Sequence, residues 1–84
     1  MNSNTTSLFS LVELNDAIIE KTMKEVYEAL EERHYNPVNQ LVGYLMSGDP
    51  GYISSHREAR SKISELERAK ILEVIVRNYL KNIK

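Results

Sequence analysis

Two Asx-Pro pairs, Asn36-Pro37 and Asp49-Pro50, fix where helices in this 84-residue chain must stop and restart. Proline clashes with a helical residue before it but fits the first helical turn, and the preceding Asn or Asp can accept from the free amides there. Ser47-Gly48 adds a stop before the second pair, because glycine takes the left-handed conformation at little cost. The spacing predicts a first helix ending near Arg33, a second running to about Met46, and a short helical turn through Ile53.

Hydrophobic periodicity fills in the elements between these stops. Ile19, Met23, Val26 and Leu30 recur at helical spacing, widened by Ile18, Thr22 and Tyr27, with charged residues on the other faces. Asn15 is the expected N-cap, Asp16 the first helical residue, and Leu14 with Ile19 the hydrophobic staple. Val38, Leu41, Val42 and Leu45 mark the inward face of the second helix. Ser55 to Glu58 and Ser64 to Glu67 have capping-box spacing, which predicts a short helix from His56 to about Ile63 and a long one from Glu65 to about Asn82, or one helix bent near Ser64. Leu66, Ala69, Leu72, Val76, Tyr79 and Ile83 form the stripe of the last helix, extended by Ile71, Ile75 and Leu80. The expected fold is all-α, a compact small bundle of four to five helices. Residues 1–14, rich in Asn, Ser and Thr, are expected to form a flexible N-terminal regulatory tail ahead of a single helical domain over residues 15–84.

A chain of this length buries only about 60 to 65% of the surface its unfolded form exposes, and the apolar face of the last helix exceeds what two short neighbours need. That face is expected to be the seam of a homodimer; covering the first two helices is the alternative. Eleven basic against twelve acidic side chains leave a net charge of −1, which disfavours a nucleic-acid binder working through phosphate neutralisation. There is no cysteine, hence no disulfide framework or thiolate chemistry. The first dozen residues carry no Lys or Arg and no apolar run has membrane-spanning length, so cytoplasmic residence without membrane insertion is expected.

No constellation suggests catalysis, a metal site or a cofactor. His34 and His56 are far apart and outside ligand-spaced clusters, the glycines lack the company of a phosphate-binding loop, and no serine sits in a nucleophile motif. His34, in the last turn of a helix, is expected to complement exposed carbonyls. Two features invite a binding reading. Tyr35, Asn36, Asn39 and Gln40 gather amides and a ring at one helix junction, either as local architecture or as a recognition surface. His56, Arg57, Arg60 and Lys62, joined by Arg68, form a basic series in which Arg57 and Arg60 share a helical face and can take a carboxylate or phosphate; plain solvation is the alternative.

The run Tyr35-Asn36-Pro37-Val38-Asn39-Gln40-Leu41-Val42-Gly43-Tyr44-Leu45, continuing through Ser47-Gly48-Asp49-Pro50-Gly51-Tyr52-Ile53, resembles the central signature of the IreB-like regulatory phosphoproteins of low-GC Gram-positive bacteria. Val26-Tyr27, Ala59-Arg60, Glu67-Arg68 and Val76-Arg77 with Tyr79-Leu80 also match, and the similarity extends from Thr6 over nearly the whole chain. The resemblance implies a small helical homodimer, phosphorylated near its N-terminus by a membrane-anchored Ser/Thr kinase. It implies a negative regulator of cell-envelope homeostasis and cephalosporin resistance, with a regulatory protein partner in a proteolytic pathway acting on peptidoglycan-precursor synthesis. By register the phosphoacceptor is Thr6, with Thr5 the near alternative. Ser7 and Leu8 stand where relatives commonly carry valine and arginine, and Ser64-Glu65 replaces a basic pair, so an anion-binding surface rests on Arg57 and Arg60. A constitutive adaptor with an incidental tail is the competing reading.

Overall fold

The computed structural model describes the backbone of residues 3–83 and the side chains of residues 11 and 13–83. Among these residues there are four α-helices and two 3-10 turns: α1 Ser3–Glu32, α2 Pro37–Ser47, a 3-10 turn Pro50–Tyr52, a second 3-10 turn His56–Glu58 leading directly into α3 Ala59–Ser64, and α4 Arg68–Lys81. The longest dimension, 51 Å, is set by α1, whose thirty residues span about 45 Å at 1.5 Å per residue.

The first helix starts earlier than its caps predict. Asn15 lies inside α1 rather than capping it, and the helix continues through the Ser/Thr/Asn-rich segment to Ser3. The physical reason is that Ser, Thr and Asn lose only a few tenths of a kcal/mol each relative to alanine in a helix. Extension from a helix already nucleated by its packed half adds one hydrogen bond per residue fixed.

Two cap predictions are met in atomic detail. Asn36 Oδ1 accepts from the Asn39 N–H at 3.1 Å ahead of Pro37, and Asp49 Oδ1 accepts from the Gly51 N–H at 2.8 Å ahead of the 3-10 turn. Gly48 closes α2 at φ 78°, donating its N–H to Tyr44 O. The other end of α1 closes with a left-handed histidine, His34 at φ 64°. Its N–H donates to Glu31 O and that of Tyr35 to Leu30 O, the paired bonds of a Schellman termination.

The two capping boxes do not form. Arg57 and Glu58 both adopt left-handed backbone, φ 54° and 59°, so α3 begins at Ala59 and Ser55 makes no side-chain cap. Ser64 Oγ instead donates back to Arg60 O at 2.7 Å, a turn over Glu65–Glu67 intervenes, and α4 starts at Arg68 with Glu67 as an N-cap without a side-chain bond. The expected long helix from Glu65 is therefore shorter by its first turn.

The core joins Ile19, Val26, Ala29 and Leu30 of α1 to Tyr44, Ile53, Ala59, Ile63, Ile71 and Val74, with Met23, Leu41, Leu45 and Leu66 packed at its edge. The α1 stripe of Ile19, Met23, Val26 and Leu30 is as predicted, but Ile18 and Tyr27, expected to widen it, are exposed. In α2 the inward face turns out to be Leu41, Tyr44 and Leu45, whereas Val38 and Val42 are exposed and Met46 is 81% exposed. In α4 only Ile71 and Val74 are buried; Leu72, Ile75, Val76, Tyr79 and Leu80 face outward, as does Ile83 beyond its end. Both differences have one cause. A stripe wider than the neighbouring helices can cover is buried along only one of its edges.

Candidate functional site

The signature from Tyr35 to Ile53 folds into a tight unit of α2 against the first 3-10 turn. Gln40 Nε2 donates to Tyr52 O at 2.9 Å. The Tyr52 ring lies so close over Gly43 that a Cβ there would sit 2.4 Å from the ring, which explains why a helix-weakening glycine occupies mid-α2. Asn36 and Gln40 thus serve local architecture. Asn39 contributes its backbone amide to the cap and has an exposed side chain, and Tyr35 is exposed at the junction.

The basic series does not form one patch, because its members are taken up by separate partners, with only His56 and Arg57 sharing one, Glu32. Arg60 Nε donates to two carbonyls, Pro50 O at 3.1 Å and Ile53 O at 2.8 Å, clamping the turn onto α3. Arg57, left-handed, turns away from that face to donate to Glu32 Oε2 at 2.9 Å. The helical i,i+3 relation expected of Arg57 and Arg60 does not hold. His56 Nε2 meets Glu32 Oε1 at 2.7 Å, Lys62 lies 3.5 Å from Glu25, and Arg68 donates to Leu45 O beside Gly48. Glu32, which no local pattern singles out, is the hub that ties the end of α1 to the strained 56–58 turn.

The hydrogen bond from His56, with the Arg57 charge added, holds the Glu32 carboxyl below its usual value of 4.5. A carboxyl depressed in the folded state stabilises the fold at pH above its unfolded value, and that contribution is lost as pH falls through the folded value. We therefore expect Glu32→Gln to lower thermal stability at neutral pH, with the difference from the unsubstituted protein shrinking as pH is brought below about 4.5. Parallel melting curves across that range check it.

Beside this hub lies an open cleft of about 620 Å³ lined by Arg33, Tyr35, Ser54, Ser55 and His56. Of the three non-glycine residues with positive φ among those described, His34, Arg57 and Glu58, the first lies between the lining residues Arg33 and Tyr35 and the second follows the lining residue His56. A second groove of about 340 Å³ runs between α1 and α4, with Ile18, Ile19 and Leu66 on its floor and the Asp16–Arg77 ion pair across it.

The side chains of Thr5 and Thr6 lie outside the described residues. Their backbone belongs to the first turns of α1, and along a continuous helix Thr6 is about 40 Å from Glu32 at 1.5 Å per residue. Helix α1 therefore separates the candidate phosphoacceptors from Arg57 and Arg60 rather than bringing them together. Among the described residues, no group of three or more His, Asp or Glu side chains is placed to hold a metal ion, and no helix is long and apolar enough to cross a membrane. The family model described as IreB regulatory phosphoprotein matches residues 4–81, so nearly the whole chain is covered and the protein belongs to that family.

Proposed function

We propose that this protein is a non-enzymatic, cytoplasmic binding regulator, switched by phosphorylation of Thr6, or of Thr5 beside it, by a membrane-anchored Ser/Thr kinase. Through a regulatory protein partner, it controls cell-envelope homeostasis, with antibiotic resistance and peptidoglycan-precursor synthesis downstream. Membership of a regulatory phosphoprotein family over residues 4–81 carries this reading.

The placement of the acceptors supports a specific form of the switch. Thr5 and Thr6 sit at the third and fourth positions of α1, where a phosphate of about −1.5 to −2 charges is favoured by the helix dipole. A few residues on, Leu11, Leu14 and Ile18 present exposed apolar side chains. A phosphate there alters the charge beside an apolar edge available to a partner, whereas docking on Arg57 or Arg60 of the same chain would require much of α1 to unwind. In this reading the homodimer seam is the exposed apolar face of α4, Leu72 to Leu80, with Ile83 just beyond the helix.

The test is site-resolved mass spectrometry of the 84-residue protein after treatment with the kinase domain of the host's wall-sensing kinase. Stoichiometric phosphate on Thr6 or Thr5, abolished by the matching alanine substitution, together with changed partner affinity, is the expected result. Phosphate absent from both threonines while a control substrate is modified would favour the constitutive adaptor.

A further inference from the structure

We propose that the cleft between the end of α1 and the 54–57 segment is a binding site for an oxyanion group, phosphate or carboxylate. The inference stands independently of the phosphorylation reading, because it rests on the cleft alone.

The lining supplies donors and no carboxylate: Arg33, Tyr35, Ser54, Ser55 and His56. Among the described residues, nothing takes up the Arg33 guanidinium, the Tyr35 hydroxyl or the Ser55 hydroxyl. Ser54 Oγ already accepts the His56 N–H at 3.0 Å, which leaves its own proton to donate. A guanidinium with several hydroxyls is the donor set that matches phosphate and carboxylate oxygens.

Both oxygens of the Glu32 carboxylate are occupied, one by His56 and one by Arg57. Arg33 is the lining cation with no acceptor among the described residues. The negative end of the α1 dipole is also partly satisfied at this point, since Leu30 O accepts from Arg33 and Tyr35 and Glu31 O accepts from His34.

Backbone strain points to the same place. A left-handed backbone is unfavourable for a non-glycine residue, and His34 stands between the lining residues Arg33 and Tyr35 while Arg57 follows the lining residue His56. The left-handed Arg57 swings its guanidinium to Glu32, leaving the Ser54–His56 edge open. Strain held in place by surrounding bonds is characteristic of ligand clamps.

Backbone and arginine Nε–H NMR resonances of the whole protein, followed at constant ionic strength so that general screening is held fixed, test the assignment. The probes are inorganic phosphate, acetate, and a peptide of residues 1–14 of this chain phosphorylated on Thr6. Saturable shifts confined to residues 33–35 and 54–57 are expected, with affinity lowered at least about tenfold by Arg33→Gln, the factor for one charge-assisted hydrogen bond. Arg33→Gln removes an exposed side chain with no described partner, and unchanged resonances elsewhere show that the fold is intact. Saturation by phosphate but not acetate assigns a phosphate group, and the reverse assigns a carboxylate. A peptide binding more tightly than inorganic phosphate places the anion on a polypeptide, and equal affinity makes the free anion the ligand. No saturable shift with any probe, or shifts that Arg33→Gln leaves unchanged, overturns the proposal whether or not Thr6 is phosphorylated.

Discussion

Leu30→Ala is expected to remove about 2–5 kcal/mol of folding stability, the range for deleting a fully buried leucine side chain and leaving a cavity. Leu30 has no exposed surface and sits where α1 meets the rest of the core. At about 0.05–0.15 kcal/mol per residue, a domain of this size has only about 4–12 kcal/mol in total, so the substitution takes a large share of it. The melting temperature should fall by about 10 °C or more, given roughly 4–8 °C per kcal/mol for small domains. Circular dichroism melts at fixed protein concentration measure it. A fall of only a degree or two would mean that the α1 interface collapses around the missing side chain, contrary to the packing described.

Arg60→Ala is the second large effect, and it bears on how functional assays of this surface are read. One Nε–H reaches two carbonyls, those of Pro50 and Ile53, and hydrogen bonds from a charged donor contribute about 1.5–3 kcal/mol. Because the Arg60 side chain is exposed, a loss near the lower end, about 1.5 kcal/mol, is expected. Arg60→Lys should recover little of it, since a single ammonium on a flexible stem does not reproduce the fixed guanidinium geometry. Equal stability of the three proteins in urea would show that Arg60 is not a clamp and would return it to the candidates for anion binding. If the loss is found, any binding defect of Arg60→Ala must be compared at matched folded fraction. Arg33→Gln has no such complication, which is why it is the cleaner probe of the neighbouring cleft.

The sequence by itself determined the helical class, the two Asx-Pro caps, the glycine stop at Gly48 and the α1 core stripe. Each of these depends on interactions within about four residues: a side-chain oxygen reaching the next turn's amide, a missing Cβ, or a 3.6-residue repeat. The family signature was legible as a resemblance, and part of it proved to hold α2 against the first 3-10 turn through Gly43, Gln40 and Tyr52. Tertiary structure alone decided the inward edge of α2, the outward turn of the α4 stripe and the fate of the basic series. Capping-box spacing at Ser64 failed because that residue ends α3 and its hydroxyl donates back to Arg60 O; at Ser55 it failed because a spacing rule assumes right-handed backbone throughout, and Arg57 and Glu58 are held left-handed in a turn tied to Glu32 more than twenty positions earlier in the chain. Long-range pairs of that kind leave no local pattern. The charge hub at Glu32 and the donor-lined cleft beside it exist only because α1 ends, by way of a left-handed His34, against a segment that the chain reaches later.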